Sequence, residues 1–455
     1  MNARFLAGAA LLALALPASA QDVAITGATV ATGDGSDPIQ NATVVVRGGR
    51  VIAAGAGVAV PAGIQAIDGR GLWVTPGIFA SITNLGLVDV DAVGDSNDVD
   101  ANSSPFSAAL DVAPAINPAA QDVAISRAGG VTRATVTPGA GSSIFAGQGA
   151  VIDLGADFDA VLRRRAFQYV EMGETGARLA GGSRTSAHAL LRNALREAGT
   201  YGEDAQLTAS TRNADVETGD DLPIDPRLTG RAERDGDVLL TRFDAAALVP
   251  VVTGRQKLYV HVERAVDILS VLALREEFPR LDMVLIGATE GWMVADRIAA
   301  SGVPVIAAAL NDLPVSFEQL AATQSNVGRM VDAGVTVAIA GYGSSGDHPR
   351  GLPQQAGNMV ALSRIPGATG LTWGEAFAAI TSVPARIGGM DDAGVLAAGA
   401  HGDVVIWDGD PLELSSAPVR VFIDGVEQPL ENHQTRLRDR YRTLDETQLP
   451  PAYRH

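Results

Sequence analysis

The chain has 455 residues, 47% hydrophobic but only 5% aromatic, which is enough Ala, Val, Leu and Ile to core one large domain and a smaller one. Its formal charge of -18 argues against nucleic acid and anionic membrane surfaces as partners. With no cysteine, disulfides and a thiol nucleophile are excluded, so stability must come from packing.

The first residues read as a targeting segment. Arg4 is positive, Phe5 to Leu16 is apolar but too short to span a bilayer, and Ala18-Ser19-Ala20 is a small-x-small cleavage site. Residues 1–20 are therefore expected to be removed, leaving a periplasmic or secreted protein without membrane insertion. Residues 22–74 alternate β-branched runs with Gly/Asp turns such as Gly33-Asp34-Gly35 and Gly48-Gly49. A second strand-rich block begins at Asp403-Val-Val-Ile-Trp407. Neither block has enough strands to bury a face alone, so 21–75 and 388–430 are expected to form one small β-sandwich.

Between them, 76–387 alternates apolar strands with helical stretches. Val131–Val136, Leu258–Val262, Met283–Ile286, Pro304–Ala308 and Thr336–Ala340 read as strands, and Ala265–Phe278 and Gly291–Ala300 as helical segments. That repeat predicts an α/β fold, a (β/α)8 TIM-like barrel. Residues 198–237 are polar, rich in Gly and Asp and aperiodic, which predicts a surface insertion placed to act as a lid. Residues 431–455 are expected to form an outer helix and tail.

Four motifs in order carry a resemblance. Trp73-Val-Thr-Pro-Gly-Ile-Phe-Ala-Ser-Ile-Thr-Asn-Leu-Gly86 reads as a strand, a Pro-Gly turn and a second strand. It resembles the segment that opens the barrel of the amidohydrolase superfamily, in its imidazolonepropionase-like branch: Pro-Gly-aliphatic-aliphatic-Asp-x-His-x-His-x-Gly. Here the aspartate falls on Ala80 and the histidines on Ile82 and Asn84. Ala128-Gly-Gly-Val-Thr-Arg-Ala-Thr-Val-Thr-Pro138 is similar to the family's second strand. Gly370-Leu-Thr-Trp-Gly-Glu-Ala with Thr381-Ser-Val-Pro-Ala-Arg386 is similar to its late helix. Gly399-Ala-His-Gly-Asp-Val-Val-Ile-Trp-Asp-Gly-Asp-Pro411 is similar to its return to the terminal domain.

The resemblance implies hydrolysis of non-peptide carbon–nitrogen bonds with one or two divalent metals, held by His-x-His on the first strand, a carboxylated Lys on the fourth, histidines on the fifth and sixth, and an Asp on the eighth. A strand puts residues i and i+2 on one side, so His-x-His can grip one ion. Isoleucine cannot, and a neutral amide is a poor zinc ligand. Lys257, the only lysine, precedes His261 by four residues, ~13 Å toward the opposite end at ~3.3 Å per residue.

His261 matches the fifth-strand histidine and is the one metal-ligand match; its simpler reading is a packed histidine. Glu290 follows the sixth strand, either as a ligand or as a carboxylate at a helix N-terminus. Asp347 and His348 follow the eighth. The catalytic candidates are thus Asp347 and Glu290, and the binding candidates His261, His348 and Asn84. The expected cofactor is none, or a single weakly held zinc. Hydrolase activity is accordingly expected to be weak or absent. The alternative is a silent periplasmic protein that binds a small ligand or partners an active homologous subunit.

Overall fold

The computed structural model describes residues 20–90, 93–212, 239–341 and 348–442, with the side chains of 204–212 outside the description. The expected leader, Ala20 apart, lies outside these residues, as do Asp347 and most of the C-terminal tail.

Five strands come first: β1 (Val23–Val30), β2 (Ile39–Arg47), β3 (Arg50–Ala56), β4 (Gln65–Asp68) and β5 (Trp73–Pro76). Gly48 and Gly49 join β2 to β3 with φ of 56° and 76°, the left-handed pair that a two-residue hairpin turn needs. Val23, Ile25 and Val30 of β1 share a core with Val44 and Val46 of β2.

The barrel sheet follows. Its strands are β6 (Ile78–Thr83), β7 (Val131–Val136), β8 (Phe145–Asp153), β9 (Val161–Glu171), β10 (Lys257–Val262), β11 (Met283–Gly287), β12 (Val305–Ala307) and β13 (Val337–Ile339), hydrogen-bonded in that order. The five strands expected from the sequence in this region are all present. The eight parallel units are not: β8 runs antiparallel to both β7 and β9. The Leu154–Ala160 connection is the reason, because a parallel crossover needs about a dozen residues.

β13 and β6 are not paired directly. Ile339 N–H donates to the Ala379 carbonyl at 2.8 Å and Phe79 N–H to that of Ile380 at 3.0 Å, so this piece of backbone bridges the gap. Inside, Phe167 stacks on Tyr259 with centroids 4.0 Å apart. Tyr169, Val284, Ile286, Ile306, Ala338 and Ala340 complete the apolar filling, as the interior of such a barrel requires.

Helices cover the outside: α1 (Gln121–Ala128), α2 (Glu174–Leu179), α3 (Arg184–Arg212), α4 (Arg242–Val252), α5 (Ala265–Leu272), α6 (Leu274–Glu277), α7 (Ala295–Ser301), α8 (Asn326–Asp332), α9 (Leu352–Leu362), α10 (Trp373–Ala378) and α11 (Ser382–Ile387). The expected insertion at 198–237 is corrected in its first part, since α3 continues through it to Arg212, and 213–238 lie outside the described residues. Buried Ala187, Leu191, Ala194, Leu195 and Ala198 carry the helical spacing up to that point. Gly202 reads as a breaker but sits under Val249 of α4, where a Cβ would come within 3.0 Å. Among the described residues no helix is long and apolar enough to cross a membrane.

The chain then returns as β14 (Val404–Trp407), β15 (Pro418–Ile423) and β16 (Val426–Glu427), ending in α12 (His433–Tyr441). β14 pairs with β5, so strands from both chain ends join one eight-stranded sheet.

Arg133, on β7, ties that sheet to the barrel. Its guanidinium donates to Asp403 at 2.7 and 3.1 Å and to Asp424 at 2.9 Å. Burial pushes the Asp424 carboxyl up, but His401 and Arg133 outweigh it and hold it at about 2, below the ordinary 3.8. A depressed carboxylate contributes stability above its unfolded pKa, and that contribution is lost as pH falls through the folded one. The denaturation midpoint should therefore drop as pH falls from 3.8 to about 2. Asp424→Asn should be less stable at neutral pH and show a smaller drop over that window, read from denaturant curves at each pH.

Candidate functional site

The β9–β10 register builds the site. The two strands are parallel, with Tyr169 opposite Tyr259 and Glu171 opposite His261. Alternation sends these four side chains to the interior face, and the last layer, at the C-terminal ends of the strands, is Glu171 and His261. Glu263 follows two residues after His261 on the same side.

The imidazole is held from both sides. Its Nδ1 lies 2.5 Å from Glu171 Oε2 and its Nε2 3.1 Å from Glu263 Oε1. Glu171 and His261 are each 8% exposed and Glu263 2%, so these are buried contacts. Each ring nitrogen thus has a carboxylate oxygen within hydrogen-bond reach. Tyr169 donates to the other oxygen of Glu171 at 3.3 Å, and Thr289 N–H to Glu263 Oε2 at 2.8 Å. Burial pushes the Glu263 carboxyl up; hydrogen bonds from His261 and Thr289 outweigh it and hold it below its ordinary value.

Gly287 makes room for Glu263. Its φ is +86°, and a Cβ there would lie 2.5 Å from Glu263 Oε1. Both the backbone conformation and the close approach require glycine.

In front of this wall is a cavity of about 730 Å³, lined by His261, Glu263, Glu318, Asn311, Gln319 and Gln354 among others, with no lysine or arginine among its lining residues. Glu318 Oε2 accepts from Glu174 N–H at 2.6 Å and from Arg184 Nη2 at 3.1 Å. Arg184 also donates to Asp267 at 2.7 Å, so it clamps together the loops after β9, β10 and β12. Asn311 donates to Thr289 Oγ1 at 3.0 Å.

Of the sequence-predicted site residues that are described, the structure brings only His261 into this wall; Asp347 lies outside the described residues. Glu290 is buried beside the site but faces away: its oxygens accept from Ala265 N–H, at the start of α5, and from Ala321 N–H, both at 3.1 Å. That is the helix N-terminal role. Asn84 is exposed past the end of β6. His348 faces Asp122 of α1 at 3.9 Å and is not among the cavity's lining residues. Lys257 pairs with Asp282 at 2.9 Å at the start of its strand, the end opposite His261. Glu171, Glu263 and Glu318 were not foreseen. Glu263 carried a signal, two residues after a strand histidine.

These side chains do not fit the metal centre implied by the motifs. Ile82 packs against the apolar barrel interior, with its N–H held by Thr135 Oγ1 at 2.9 Å. Both nitrogens of His261 already face carboxylates, Nδ1 that of Glu171 and Nε2 that of Glu263. Elsewhere, His401, Asp403 and Asp424 offer ligand atoms within 4.8 Å of one another. The Arg133 guanidinium already contacts all three, so that cluster holds a cation of the protein's own.

Comparison with known proteins agrees with this architecture. A sequence model of the amidohydrolase family matches residues 355–427, from α9 through the return to the terminal sheet. The amidohydrolase TasK of Hapsidospora irregularis is 25% identical over 392 residues, covering 81% of this chain but 38% of its own length. The amidohydrolase from Thermotoga maritima MSB8 has the same fold, with a TM-score of 0.75 at 22% identity, covering 89% of this chain and 99% of that one. A Xanthomonas campestris adenosine deaminase with bound zinc has a TM-score of 0.50 at 15% identity, covering 90% of this chain and 93% of that one.

Proposed function

We propose that this chain is a protein of the amidohydrolase superfamily, exported, whose barrel mouth takes up a small non-peptide carbon–nitrogen compound, with the family's hydrolysis of such bonds weak or lost. The observation that carries this reading is His261. It stands where the resemblance puts a metal ligand, yet both its nitrogens are bound to carboxylates. A metal in such a site would polarise the scissile carbonyl and make hydroxide available near neutral pH. Without the donors to hold it, most of that rate enhancement is lost.

The cavity keeps the size of a small-molecule site, with polar groups converging on it from the loops after β10, β11 and β12 and from α9. Glu263 and Glu318 supply acceptors, and Asn311, Gln319 and Gln354 supply both donors and acceptors. The leader-like residues 1–20 support the exported location, periplasmic or secreted. A second reading is a partner of an active homologous subunit, which the replacement of the motif's histidines by Ile82 and Asn84 supports.

Elemental analysis after dialysis, run beside assays with small amides and lactams, tests the proposal. Zinc well below one equivalent is expected, with turnover slow or undetectable, while small amides raise the melting temperature in a His261-dependent way. Stoichiometric zinc with rapid, chelator-sensitive turnover refutes it. Co-purification with a ligand-complete homologue, with no response to amides, favours the second reading.

A further inference from the structure

We propose that the mouth cavity selects ligands that carry a protonated amine together with a neutral carbonyl, the amine meeting Glu318 and the carbonyl meeting Gln319. The proposal rests on reading the mouth as the ligand site. Glu318 and Gln319 are consecutive residues lining the cavity, 6% and 9% exposed. Each has a polar atom without a hydrogen-bond partner among the described residues. Glu318 spends Oε2 on Glu174 N–H and Arg184, leaving Oε1 open. Gln319 accepts from Asn311 through Oε1 at 3.4 Å, leaving the two N–H bonds of Nε2 open. An acceptor with negative charge and a neutral donor, on consecutive residues that line the cavity, are complementary to a cation and a carbonyl.

The surrounding charge favours the cation. The ring of His261 is shared by Glu171 and Glu263, and Arg184 by Asp267, Glu318 and Glu174. Even with Arg264 paired to Asp267, carboxylates outnumber cations in this cluster. Among the described residues no arginine or lysine lines the cavity to correct the balance. Burial pushes the Glu318 carboxyl up, aided by the charges of Glu263 and Glu174, which is the behaviour of an acid short of a counterion. A ligand ammonium supplies that counterion, whereas a ligand carboxylate would face Glu263 and Glu318.

Calorimetric titration of the intact protein near neutral pH tests this with three probes of one length: δ-aminovaleramide, valeramide and δ-aminovalerate. δ-Aminovaleramide should bind at least about tenfold more tightly than valeramide, and more tightly than δ-aminovalerate. Glu318→Gln should abolish the advantage of the amine and leave valeramide binding in place. Gln319→Leu, which keeps the charge, should weaken both amides while preserving their ratio. That variant and the wild-type ratio decide the matter if Glu318→Gln does not fold. Equal binding of the two amides overturns the charge selection but leaves the mouth as an amide site. Absence of binding by all three overturns both this inference and the mouth as an amide site.

Discussion

Replacing Arg133 with leucine should cost the protein about 3–5 kcal/mol of stability, enough to unfold a marginal domain. The side chain is 1% exposed and Asp403, its principal partner, 2%. Removing the guanidinium strands the Asp403 carboxylate where water cannot reach it, and takes the second partner from Asp424. Burial alone would lower the pKa of Arg133, but Asp403 and Asp424 outweigh it and raise it. Because Arg133 lies on β7 and its partners lie beside β14 and β15, the loss falls on the seam between barrel and terminal sheet. Denaturant unfolding of Arg133→Leu, with and without Asp403→Asn, measures it. The double variant should recover part of the loss, since the neutral amide no longer needs a counterion. A single-variant loss under about 1 kcal/mol would mean that the seam does not depend on this pair.

The second large effect belongs to His261→Ala. It removes the shared partner from between the buried carboxyls of Glu171 and Glu263 and should cost about 3 kcal/mol at neutral pH while abolishing the response to small amides. The sign with pH is distinctive. In the native protein Glu263 is held below its ordinary pKa, so its contribution is present at neutral pH and is lost as pH falls below the ordinary carboxylate value of 4.5. In the variant, burial is opposed by Thr289 without His261 and pushes the Glu263 carboxyl up relative to the native protein, so that the variant loses less on protonation. The gap between the two proteins should therefore narrow on acidification. A variant within about 0.5 kcal/mol of the native protein at all pH values would show that the buried pairs contribute nothing net.

The two halves of the wall differ in how visible they were from sequence. His261 stood out because Leu258-Tyr-Val-His-Val262 is an apolar strand with one histidine, and Glu263 followed at the spacing that shares its face. Glu171 was hidden. Its strand begins Val161-Leu-Arg-Arg-Arg165, and that charged half reads as a loop. Arg163 and Arg165 instead reach Gly389 and Asp111, so tertiary partners hold as a strand what local pattern could not. Glu290 was legible in kind, a carboxylate at the start of a helix, but only the contacts to Ala265 and Ala321 decided between capping and coordination.

The sequence by itself determined the alternation of strands and helices through the middle of the chain, the strand-rich character of both chain ends, and the residues Ile82 and Asn84 where the motif has histidines, because periodicity and residue identity are local properties; that the two ends form one sheet, where a sandwich was expected, was decided by tertiary structure. The reversal of β8, the Ala379–Ile380 bridge that completes the barrel and the pairing of Glu171 with His261 were decided only by tertiary structure. Each depends on how segments far apart in the chain align, and a one-residue change of register would send Glu171 to the opposite face.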